Sequence, residues 1–82
     1  MYVFSKHSLE VMLERQIKKE TVEDIIRNPA KIIEDKQEGK AIYQGEREFE
    51  NGKNYLVRVF VNVEDDPNVI ITVYRTSKMD KY

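Results

Sequence analysis

Residues 54–76 read NYLVRVFVNVEDDPNVIITVYRT, two runs of β-branched and aromatic residues on either side of a DDPN turn. In the first run Tyr55, Val57, Val59, Val61 and Val63 recur at every second position, the period of a strand with one buried face. The second run, VIITVYRT (69–76), returns across the turn and predicts an antiparallel hairpin. If Val63 faces Val69, then Val61 faces Ile71 and Val59 faces Val73, which makes one side an aliphatic wall. The other side carries Arg58 across from Tyr74 and Phe60 across from Thr72. A sheet face holding an arginine, a tyrosine and threonines is either solvated or a binding surface.

Upstream, AIYQGEREF (41–49) predicts another strand, joined to the first through the hairpin signal Asn51-Gly52. A two-residue loop there sets Gly45 opposite Arg58. A longer loop pairs Phe49 with Tyr55, keeps Tyr43 with the valine wall, and brings Glu46 opposite Arg58. A slip of one residue exchanges the two faces, and hydrophobic consistency favours the longer loop. AKIIED (30–35) predicts one more short strand, with a turn at Glu38-Gly39.

The first third of the chain has a different period. YVF (2–4) predicts a short strand, after which Ser5 offers an N-cap hydroxyl to a helix starting near Lys6. Leu9, Met12 and Leu13 follow at helical spacing and predict its buried face. A second helix begins near Lys19, buries Val22, Ile25 and Ile26, and stops at Asn28-Pro29, because the residue before proline is pushed out of the helical region. The expected architecture is α+β: a short N-terminal strand, two helices, then an antiparallel four-stranded meander with both helices on one sheet face.

A length of 82 residues predicts a single domain over 1–82, and a chain of this size buries only about 60–65% of its unfolded surface, so a partner adds to a marginal core. There is no cysteine, which excludes a disulfide framework and fits a reducing compartment. One histidine and no cysteine also argue against a zinc site, so no metal and no cofactor is expected. No apolar run reaches the length of a membrane span, so a soluble, cytoplasmic protein without membrane contact is expected. Charged residues make up 35% of the chain, yet the formal net charge is −1, which argues against nonspecific coating of nucleic acid.

Three segments carry a family likeness: FSKHSLEVMLERQI (4–17), VEDIIRNP (22–29) and ITVYRTSK (71–78). In this order they resemble domain-of-unknown-function family 4258, with Gln16 standing where that family usually has glycine. The family is similar to the RelE-type and barnase–EndoU–colicin (BECR) class of small ribonucleases, often toxins of toxin–antitoxin pairs. The resemblance implies metal-independent cleavage of RNA by its own 2′-hydroxyl, with RNA as substrate and a small antitoxin protein as partner. A non-catalytic binding or protein-interaction module of the same fold is the alternative, and a homodimer burying edge strands or the open face is a third.

That chemistry requires a proton acceptor, a proton donor and cations for the phosphate. His7 is the one side chain that titrates near neutral pH without a large shift, and a helix N-terminus disfavours its charged form. The alternative is an ordinary half-exposed residue in the first turn. Under the resemblance, His7, Arg58, Tyr74 and Lys78 are the expected catalytic set, with Lys6, Arg15, Arg75 and Thr76 as RNA contacts. Arg15 has Glu23 or Asp24 as rival partners, and a cross-strand Arg58–Tyr74 contact can simply stabilise the sheet.

Overall fold

The chain starts at one edge of a sheet and finishes beside its own first strand. Strand β1 (Tyr2–Phe4) leads into helices α1 (Lys6–Glu14) and α2 (Lys19–Arg27), followed by β2 (Lys31–Asp35), β3 (Lys40–Glu48), β4 (Asn54–Asn62) and β5 (Asn68–Thr76). A short 3-10 turn covers Met79–Lys81. This computed structural model describes residues 1–81, with strand order β1-β5-β4-β3-β2. Strands β2 to β5 form the expected antiparallel meander. The sheet nevertheless has five strands and is mixed, because β1 pairs parallel with β5, Tyr2 opposite Asn68 and Phe4 opposite Ile70. The two helices carry the chain from one edge to the other, so the meander returns to the first strand. Three residues show no alternation from which that partner can be read.

The valine wall forms, with a change of register. Arg58 pairs with Tyr74, Val59 with Val73 and Phe60 with Thr72, as expected. Beyond Phe60 the ladder shifts, so that Val61 pairs with Ile70 and Asn62 with Val69. Ile71 is the extra residue of a β-bulge, which lets Ile70 and Val73 both face the helices. Val63 lies past the end of β4 and is exposed.

The β3–β4 hairpin takes neither expected register: Gln44, not Gly45 or Glu46, stands opposite Arg58. The Phe49 amide bonds the Lys53 carbonyl at 2.9 Å, the Gly52 amide bonds the Phe49 carbonyl at 2.9 Å, and Gly52 has φ +81°. This is a three-residue loop whose last residue is left-handed, a conformation glycine adopts without steric cost. The faces remain as predicted because the shift is even: Tyr43 lies against Val59, Arg47 faces Tyr55, and Glu46 faces Leu56.

The core joins Met12, Ile17, Val22 and Ile25 to Val57, Val59, Val61, Ile70 and Val73. Full burial of one such side chain contributes about 1.5–3 kcal/mol, opposed by the entropy of ordering the chain. Helix α2 buries the predicted Val22 and Ile25. Arg47 holds α2 to β3, donating Nε to Asp24 at 2.7 Å and Nη2 to the Asn28 carbonyl at 3.2 Å.

Helix α1 is rotated from the expected orientation. It buries Ser8, Val11 and Met12, while Leu9 and Leu13 are 48% and 83% exposed. The helix lies along the outer edge of β5 beyond the end of β1. There the Ser5 amide and hydroxyl take the Ile70 and Ile71 carbonyls at 3.1 Å each, and Arg15 Nη1 takes the Val73 carbonyl at 2.8 Å. Ser5 Oγ also caps the helix, accepting from the Ser8 amide at 3.0 Å. The Ser8 hydroxyl bonds the Ser5 carbonyl at 2.7 Å, which is how a serine can be fully buried here. At the other end Ile17 N–H bonds the Met12 carbonyl and Gln16 N–H the Leu13 carbonyl, with Gln16 at φ +56°. That pair of bonds is a Schellman cap.

Candidate functional site

Alternation along β4 and β5 sends Arg58, Phe60, Thr72, Tyr74 and Thr76 to the sheet face opposite the helices. At its centre Arg58 is 9% exposed. Its Nε donates to Gln44 Oε1 at 3.0 Å and its Nη1 donates to the Tyr74 hydroxyl at 2.7 Å. The Phe60 and Tyr74 rings stack with centroids 5.9 Å apart, and the guanidinium lies within 5.7 Å of both centroids. Gln44, 4% exposed, was not among the residues that sequence reasoning singled out. The signal for it is the hairpin register alone, since a glutamine on a strand carries no motif. The Glu46–Arg58 pair expected from the longer loop is replaced by this neutral amide contact.

Thr76 shares the face of Tyr74, opposite Leu56, and its Oγ1 accepts from the Lys78 amide at 3.1 Å. Lys78 itself is exposed beyond the strand. Arg75 falls on the other face because adjacent strand residues alternate. Its guanidinium lies 4.4 Å from the Phe49 ring centroid and 4.5 Å from that of Tyr55. There it lines a groove of about 700 Å³ with Leu13, Gln16, Thr21 and Phe49. At the groove's rim Lys18 Nζ and Glu50 Oε1 stand 2.6 Å apart. This mutual hydrogen bond raises the lysine and lowers the glutamate from their ordinary values.

His7 is exposed in the first turn of α1, next to exposed Lys6. Successive helical residues turn by about 100°, so Leu9 and Leu13 share one flank of α1, and His7 and Glu14 the other. Leu13 and Gln16 line the Arg75 groove, which places His7 on the flank turned away from it. Arg15 spends a donor on the Val73 backbone, and it is Arg47 that pairs with Asp24. The expected set is therefore divided: Arg58, Tyr74 and Thr76 share the open face, Arg75 belongs to the helix side, and Arg15 closes the edge between them.

Among the described residues no three His, Asp or Glu side chains converge as metal ligands, and no helix is long and apolar enough to cross a membrane. No curated relative and no solved structure matches the chain. A family model does match, over residues 4–75, which takes in the last residue of β1, both helices and nearly all of the meander. The chain belongs to the family described as a domain of unknown function, DUF4258.

Proposed function

We propose that this domain is a metal-independent endoribonuclease of toxin type, acting through the RNA's own 2′-hydroxyl. The observation that carries the reading is the Arg58–Tyr74 pair, 2.7 Å apart on the sheet face that the helices leave uncovered. A guanidinium set against aromatic rings suits a phosphodiester whose base stacks beside it. The reading requires His7, on the flank of α1 turned away from the Arg75 groove, to reach that same face. In this scheme His7 accepts the 2′-hydroxyl proton and the 2′ oxygen attacks phosphorus. The bond to the 5′ oxygen breaks, and that oxygen takes a proton from imidazolium or from Lys78. Arg58 opposes the charge that builds on the phosphate. A small antitoxin protein covering the open face is the partner this activity requires.

Expression of wild type and His7→Ala in cells, scored by growth and RNA integrity, tests the reading. Arrest with RNA cleavage by wild type alone is the expected result, and equal toxicity of the two removes His7 from the mechanism.

One observation favours a second reading, a non-catalytic binding module. Arg58 is nearly buried and already engaged by Gln44 and Tyr74, as a residue that braces a sheet would be. A wild type that leaves growth and RNA untouched supports that alternative.

A further inference from the structure

Strand β2 is an edge of the sheet. Its one strand neighbour is β3, and every residue in it except Ile33 is exposed. Such an edge presents unpaired amides and carbonyls to other chains, and proteins commonly guard it with charge. The guards here are Lys31, Glu34 and Asp35 in the sequence KIIED, and their order is self-complementary. Set antiparallel against a second copy and centred on Ile33, Lys31 meets Asp35, Ile32 meets Glu34, and Ile33 meets itself. Opposite charges directly across a ladder stabilise it and like charges oppose it. Among the described residues neither Lys31 nor Asp35 has an ion-pair partner within the chain; the Asp35 carboxylate accepts the Glu38 amide at 3.1 Å. Ile32 leaves 46% of its surface exposed on the same strand. This register also joins residues of like parity, so outward backbone groups of one copy meet outward groups of the other.

We infer that β2 is a self-association edge, at which two copies of this chain pair antiparallel about a two-fold axis through Ile33 and join their sheets into one. The contact is isologous. It is shorter than the interfaces of stable dimers, so the dimer is weak, concentration-dependent and reduced by salt.

Sedimentation of the full chain up to about 1 mM tests this at the weak end of specific association. The expected result is a monomer–dimer equilibrium that Lys31→Asp or Asp35→Lys alone weakens by about tenfold or more. Mixing these two variants restores it, because positions 31 and 35 are then both acidic in one copy and both basic in the other. Circular dichroism of each variant establishes that it is folded. The chain has no cysteine, so Ile33→Cys supplies an independent readout: on the two-fold axis the paired Cβ atoms lie within disulfide reach. Mild oxidation should link Ile33→Cys into a covalent dimer well before Lys36→Cys. A monomer at every concentration overturns the inference, as does a dimer indifferent to both charge variants or equally fast linking of the two cysteine variants.

Discussion

Arg47 Nε stands 2.7 Å from Asp24 Oδ2, and this contact ties helix α2 to strand β3. The hydrogen bond from Arg47 is the main reason that the Asp24 carboxyl sits below its ordinary value of 3.8. Burial is the next influence and works against it, while the charge of Arg47 and smaller contributions from Asn28 and Arg27 add to the lowering. A group whose folded pKa is depressed stabilises the fold above its unfolded pKa and loses that contribution as pH falls through the folded value. The Arg47 clamp should therefore hold at neutral pH, begin to weaken as pH falls past the ordinary value of 3.8, and be lost once pH drops below the lowered one. Asp24→Asn should lower the urea midpoint at neutral pH and flatten its acid slope, until the two proteins converge in strong acid. Parallel curves for variant and wild type would show that the clamp contributes nothing.

Gln16 occupies a left-handed cap position, with φ +56°. A residue bearing a Cβ is strained there by about 1–2 kcal/mol, and glycine is not. Glycine also gives the unfolded chain more freedom to lose, so the net gain of Gln16→Gly should be about 0.5–1 kcal/mol. For a domain of this size that is a Tm rise of about 3–6 °C. Gln16→Ala keeps the strain and should show no such rise.

Gly45 is a contact position. A Cβ built on it would meet Ile25 Cδ1 at 3.1 Å and Arg47 Nη1 at 3.2 Å, directly beneath α2. Gly45→Val should overpack this junction and cost about 1–3 kcal/mol. If Ile25 is the obstacle, Ile25→Ala in the same chain should recover part of the loss, so the two changes will be less than additive. Denaturant midpoints of the four proteins in the cycle decide it.

These positions show why some of the fold could be read from the sequence and some could not. The valine wall and the Arg58–Tyr74 pairing follow from period-two alternation around one turn, and both are observed. Loops of two and three residues around Asn51-Gly52 look alike in sequence, yet they differ in which residue meets Arg58. Only the hydrogen bonds of Phe49 and Gly52 distinguish them. Leu9 and Leu13 suggested the wrong face of α1, because the hydrogen bonds of Ser5 and Arg15 to the edge of β5 hold the helix with Ser8 turned inward instead. Tyr74 and Arg75 lie on opposite faces, a separation that alternation already implies and that assigning Tyr74 to the catalytic set and Arg75 to the RNA contacts of one site overlooked. The first strand was expected, but its parallel pairing with β5 was hidden because its partner depends on where the meander ends.

The open face supplies the last prediction, which separates bracing from chemistry. Tyr74→Phe removes the hydroxyl that accepts from Arg58 Nη1. A hydrogen bond to a charged group is worth about 1.5–3 kcal/mol, so stability should fall within that range whether or not the domain is a nuclease. His7→Ala differs: the residue is exposed and outside the core, and its removal should leave Tm within a degree or so, as surface substitutions usually do. Under the ribonuclease proposal both variants should lose RNA cleavage when assayed well below their melting temperatures, His7→Ala without any loss of fold. Cleavage retained by a fully folded Tyr74→Phe would confine that hydroxyl to a bracing role. Cleavage retained by His7→Ala would move the proton transfer to another group, with Lys78 the next to test.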